Sequence, residues 1–277
     1  MDAFNNNRNN FSVVEGPVWV GDSLYFTEIG SGNNPPPARI LKVTGAGVVS
    51  VALDNAGANG LLVDPTGALL GGNHKDGAIT RFTFPTLAAT PVIASFGGQR
   101  FNSPNDLTLR ADGNLYFSDP DYQAPAPRPQ SATRLYRLAP GATTATVIDA
   151  SRNQPNGVTL SPDGNTLYLT AADGLYRYPV AVDGAVGTGT KIVPSIGSGD
   201  GMAVDCAGNL YVASNATVVV VAPSGVVLGT INVPGVQATT NAAFGGADHK
   251  TLYITALGSG TQSGLFTVTM NVPGYPY

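Results

Sequence analysis

Apolar and polar positions alternate with a period of two along most of the chain, in short runs that turn signals interrupt. In residues 156–170 (NGVTLSPDGNTLYLT), Val158 and Leu160 alternate with polar positions. Pro162-Asp163-Gly164 is a turn signal, and Leu167 and Leu169 resume the apolar pattern. The segment predicts strand, turn, strand. Variants of it begin at Glu15 (EGPVWVGDSLYFTE), Asn59 (NGLLVDPTGALLGG), Asn105 (NDLTLRADGNLYFSD), Asp200 (DGMAVDCAGNLYVAS) and Asn241 (NAAFGGADHKTLYIT). The six leading residues are 44, 46, 51, 44 and 41 positions apart. A period in the forties with several strands per unit predicts a propeller. A second register runs alongside: ARILKV, GAITRF, TRLYRL, DGLYRY, ATVVVV and SGLFTV, one per unit, each β-like.

The expected fold is therefore an all-β, six-bladed propeller with four-stranded blades, one domain over residues 11–277 preceded by a tail over residues 1–10. The sixth unit offers no clear fourth strand. The segment from Phe11 to Val14 is expected to supply it, pairing with the last blade and closing the ring.

Composition narrows the function. Hydrophobic residues make up 43%, enough for a core, and 35 glycines and 21 prolines suit many tight turns. Charged residues are 12%, below the roughly 25% of an average globular chain. The net charge of -4 and the lack of a basic patch exclude nucleic acid as a partner. Apolar runs have strand length, so no membrane span is expected, and nothing calls for a protein partner. The single Cys206 excludes an internal disulfide and a multi-cysteine metal site, and its VDCAG turn makes it structural. No Gly-x-Ser-x-Gly elbow occurs, which argues against a serine hydrolase. The start, MDAFNNNRNNF, lacks a signal-peptide core. Few lysines and much Asn, Thr and Gly suit a periplasmic or secreted protein.

In a propeller the innermost strands flank one axis, so Glu15, Asn59, Asn105, Asn156, Asp200 and Asn241 would converge there. Two carboxylates and several amide oxygens suit a hard cation, Ca²⁺ more than Mg²⁺, because calcium tolerates irregular geometry; another divalent cation remains possible. The alternative is that these residues only cap turns. His74 reads either as a surface turn residue or as a pocket wall that contacts substrate or shuttles a proton; His249 lies in a hairpin turn. The proline-rich excursion over residues 121–130 is either a plain loop or a roof that selects substrate through Tyr122 or Arg128.

Glu15-Gly16-Pro17-Val18-Trp19, Asn102-Ser103-Pro104-Asn105-Asp106, Tyr116-Phe117-Ser118-Asp119-Pro120, Pro155-Asn156-Gly157 and Gly199-Asp200-Gly201-Met202, in this order, resemble the SMP-30/gluconolactonase/luciferin-regenerating-like family of six-bladed propellers. The resemblance implies a divalent ion on Glu15, Asn156 and Asp200, with Asn105 as a further ligand or a substrate contact. It implies Asp200 as general base or nucleophile, and leaves Asn59 and Asn241 lining the channel. Some lactonase members carry an arginine two residues before the Asn105 equivalent; here Ser103 stands there, and Arg100 lies five residues before Asn105. Asn105, His74, Arg100 and Tyr122 are the candidate substrate contacts. The expected activity is calcium-dependent hydrolysis of a small lactone or ester. Diisopropyl-fluorophosphatase-type enzymes share the scaffold and a similar calcium site, so organophosphate triester hydrolysis is an alternative, as is a non-catalytic binding propeller.

Overall fold

The computed structural model describes residues 2–3, 11–45, 47–193, 196–258 and 263–275. Six four-stranded antiparallel sheets follow one another in chain order. Their innermost strands are Val13–Val20, Ala58–Val63, Leu107–Leu109, Val158–Leu160, Gly199–Val204 and Val236–Gly245. Each touches the next and the last touches the first, so the ring is closed. The second register lies on the third strand of every blade, from Ala38–Thr44 to Gly264–Thr269.

An N-terminal strand pairs with the last blade, as expected, but it is not the segment from Phe11 to Val14. Val13–Val20 is the innermost strand of blade I, so the segment from Phe11 to Val14 does not complete blade VI. Asp2–Ala3 does, with Asp2 opposite Thr267 and Ala3 opposite Phe266. Phe11 instead packs edge-on against Phe26 at 6.0 Å.

The core lies between blades. One apolar cluster joins each neighbouring pair; Leu62, Leu70 and Ile79 of blade II pack with Leu107, Phe117 and Tyr136 of blade III, and Val14, Leu24 and Phe26 of blade I pack with Tyr253 and Leu265 of blade VI. A radial sheet buries both faces against its neighbours and leaves mainly its turns and outer edge in water, so strands such as Ser23–Ile29 and Leu115–Asp119 are buried along their whole length. At the II–III junction Phe101, Phe117 and Tyr136 meet with all three centroid distances at 5.2 Å.

The inner turns explain the repeated aspartates. The carboxylates of Asp64, Asp112, Asp163, Asp205 and Asp248 each accept the N–H of a residue two positions on. These aspartates close their own turns. The repeat leaders sit at the opposite end of the inner strands, four of them at irregularities in the register. Shifts occur between Glu15 and Val18, Ala58 and Leu61, Gly199 and Met202, and Thr239 and Asn241. Such a bulge re-aims a side chain.

Phe117→Ala would open a void in the aromatic trio and lower stability by about 3–5 kcal/mol, read as a lower urea midpoint with an unchanged slope.

Candidate metal centre and active site

The residue after each leader sets how closely neighbouring leaders approach. In four of the six repeats it is a glycine: Gly16, Gly60, Gly157 and Gly201. Each glycine presses on the leader of the next blade. A Cβ on Gly60 would lie 2.7 Å from the Asn105 carbonyl oxygen, and one on Gly201 would overlap the Asn241 amide. The requirement for glycine is steric contact, and it brings the leaders of adjoining blades together.

Glu15, Asn59, Asn105 and Asn156 are buried, and Asp200 is partly exposed with its Oδ1 fully enclosed. Glu15 Oε2 accepts from Gly16 N at 3.2 Å and from Asn241 Nδ2 at 3.4 Å. Asn241 Oδ1 accepts from Ala242 N, so Asn241 braces Glu15. The Asn156 amide lies close enough to the Asp200 carboxylate and the Tyr122 hydroxyl to lower the pKa of each, against the larger rise that burial causes. Asn156 Oδ1, Asp200 Oδ1 and Asn59 Oδ1 are buried with no donor.

Asp106 is not among the site residues expected from the sequence, yet it is a third carboxylate here. Its burial raises its pKa to about 7. Burial and then the Asp106 charge raise that of Asp200 to about 7. Burial, Asp200 and Asp106, in that order, raise that of Glu15 well above the usual range. None of the ion pairs among the described residues involves any of the three. The signal that marks Asp106 in the sequence is that it replaces the glycine expected after a leader.

Among the described residues no three His, Cys, Asp or Glu side chains converge as a metal-holding group. The donor set is instead mixed, two carboxylates and amide oxygens. The buried acceptors without donors, Asn156 Oδ1 and Asp200 Oδ1, fit a hard cation held by Glu15, Asn105, Asn156 and Asp200.

The other candidates separate. Tyr122, on the proline-rich excursion, reaches the leaders: burial and then Asp200 raise its pKa to about 12. Ser103 ties that loop down, donating to the Pro120 carbonyl at 2.9 Å and accepting from Gln123 N at 3.4 Å. Asp119 accepts from Asn102 N and Ser103 N, which fixes the segment leading to Asn105. Arg128 pairs with Asp121 on the loop itself. Arg100 turns onto backbone, donating to the carbonyls of His74, Lys75 and Phe101. His74 is fully buried. Its Nε2 donates to the Pro36 carbonyl at 2.9 Å, which leaves Nδ1 as a buried acceptor without a donor. Burial lowers its pKa to about 4, so the ring is neutral at neutral pH.

A central cavity of about 640 Å³ has walls from Val18, Leu62, Leu107, Val158, Met202 and Phe244. Its lining also takes in the turns at Pro65, Asp112, Asp163 and His249 and, beside the leaders, Gly16, Asp106 and Asn241; neither His74 nor Tyr122 borders it.

The fold is a six-bladed propeller whose inner strands begin with carboxylate and amide side chains. The profile of the SMP-30/gluconolactonase/LRE-like region matches residues 13–258, and the chain belongs to that family. It is 30% identical to a gluconolactonase of Zymomonas mobilis, over 87% of this chain and 75% of that one. A gluconolactonase structure from Xanthomonas campestris superposes with a TM-score of 0.82 at 28% identity, covering 98% of this chain and 88% of the other. Regucalcin of Agrobacterium tumefaciens, a calcium-binding protein, shares the fold at 20% identity with a TM-score of 0.79, over 99% and 94% of the two chains. Membership carries a lactonase-like hydrolase activity at the level of the family.

An acid with a raised folded pKa stabilises the fold fully below its unfolded pKa, near 4, and loses that contribution as pH rises through about 7. Asp106, Asp119 and Asp200 all behave so, and Glu15 shares the direction. His74, with its pKa depressed, works oppositely between about 6.5 and 4, one group against four. In chelator the protein should melt at a lower temperature at pH 8 than at pH 6, and Ca²⁺ should raise the melting temperature most at pH 8. Asp200→Asn in chelator at pH 8 should melt above the wild type by scanning calorimetry.

Proposed function

We propose that the protein is a calcium-dependent lactonase acting on a hydroxylated lactone. The observation that supports this reading most is the placement of buried side-chain acceptors without donors. Among the described residues five of them, Asn59 Oδ1, His74 Nδ1, Gln123 Oε1, Asn156 Oδ1 and Asp200 Oδ1, belong to the leaders or to the segments beside them. The sixth, Asp64 Oδ2, is at a turn on the opposite face and lies against Arg81. A buried acceptor without a donor is costly unless something polar arrives. A cation answers the acceptors on the axis, and substrate hydroxyls answer His74 and Gln123. A phosphotriester brings only acceptors, so this complementarity favours the lactone. The similarity to the Zymomonas gluconolactonase points the same way.

When bound, the cation supplies a Lewis acid that stabilises negative charge developing on the lactone carbonyl oxygen. Asp200 takes a proton from a water as that water's oxygen bonds to the carbonyl carbon. The carbon–ring oxygen bond then breaks, the proton passes to the leaving oxygen, and the product is a hydroxy acid. Glu15, held by Gly16 N and Asn241, keeps a fixed direction. Tyr122 covers the Asn156–Asp200 side, and neutral His74 accepts a substrate hydroxyl through Nδ1.

Hydrolysis of a hydroxylated lactone, its deoxy analogue and a phosphotriester should be compared with and without chelator. The hydroxylated lactone should turn over fastest, with loss in chelator and recovery on adding Ca²⁺. A phosphotriester as the better substrate overturns the reading. Asp200→Asn should lower kcat by about 10²–10⁴-fold in protein that still folds, and near-normal turnover would remove Asp200 from the chemistry.

A further inference from the structure

The junctions between blades are closed at the level of the leaders by hydrogen bonds. Thr27 donates to the Asn59 carbonyl at 2.8 Å between blades I and II. Gly60 N donates to the Asn105 carbonyl at 2.9 Å between II and III. Thr170 donates to the Asp200 carbonyl at 2.7 Å between IV and V, while accepting from Gly157 N. Ser214 N donates to Thr239 Oγ1 at 3.0 Å between V and VI. Thr240 donates to the Val14 carbonyl at 2.6 Å between VI and I. All of these use neutral groups.

The junction between blades III and IV is different. Asp106 stands where four other repeats have glycine, and its carboxylate crosses the gap. Oδ2 accepts from Val158 N at 3.0 Å, across 52 residues of chain, and Oδ1 accepts from Leu107 N at 3.0 Å. One bonded N–H lies two residues after Asn105, the other two residues after Asn156. A neutral acceptor would close this junction as well. A buried charge without a basic partner is unfavourable unless a positive group lies near it.

We propose that Asp106 is a positioning residue for the cation site, setting the distance between the Asn105 and Asn156 arms and adding a third negative charge behind them. The role rests on the proposed calcium dependence. Asp106 acts through its neighbours. Asn in its place keeps the shape, loses the charge and offers one acceptor oxygen to two N–H groups.

Calcium binding to metal-stripped, full-length protein should be measured by titration calorimetry for the wild type, Asp106→Asn and Asp200→Asn. Asp106→Asn should bind Ca²⁺ about 10–100-fold more weakly, as expected for a side chain that orients ligands. At saturating Ca²⁺ its kcat should recover, with the lactone KM within about twofold of wild type. Gly60→Ala puts a methyl against both Asp106 Oδ1 and the Asn105 carbonyl. It tests the same place without removing the carboxylate, and should also weaken binding. Affinity within about twofold of wild type in Asp106→Asn, or in Gly60→Ala should Asp106→Asn not fold, overturns the positioning role. A wild type that takes up no Ca²⁺ overturns the cation reading itself, and the two failures are distinct.

Discussion

Glu15, Asp106 and Asp200 are carboxylates removed from water within reach of one another's charge, and among the described residues no basic side chain is paired with any of them. The rest of the structure has to withstand that repulsion. Left alone, the three would relax apart or take up protons. Relaxation is prevented by the apolar packing between blades, continued around the whole ring, and by the hydrogen bonds that join each leader strand to the next. The stability of the scaffold thus holds open an electrostatic need that a cation can fill.

The same residue types do two jobs at the two ends of one strand. At the turns, Asp112, Asp163 and Asp205 accept N–H groups from their own turns and are satisfied locally. At the leader end, Asp200 Oδ1 and Asn156 Oδ1 have no donor. A turn carboxylate faces backbone N–H groups that the turn itself presents. A leader faces other leaders across the axis, and these bring mostly more oxygen. Bulges at the leaders of blades I, II, V and VI help to make the difference.

Much of this is legible in the chain because it is local. The period-two pattern and the spacing of six turn signals place the strands, and aligning the repeat picks out the leaders. Features that are not local are harder to read. Asp2–Ala3 closes the ring as a strand of two residues, too short to show a period-two pattern, whereas Phe11 packs against Phe26. His74 sits between polar Asn73 and Lys75, and its burial comes from the loop at Pro36, 38 residues earlier. Asp106 is readable only as a break in the leader–glycine pairs, and that pattern has meaning once Gly60 and Gly157 are seen against the next blade.

Ser103 bears on the proposed choice of substrate through the loop it holds. An arginine at that position would extend a charge toward substrate; the serine is buried and binds the loop that carries Tyr122. The nearby arginines do not replace that charge. Arg100 is bound to three backbone carbonyls, and Arg128 to Asp121 and the Ser131 carbonyl. The acceptors without donors beside the leaders, His74 Nδ1 and Gln123 Oε1, are buried. A wall that presents acceptors and withholds its cations favours a neutral ligand rich in hydroxyl donors over an anionic one.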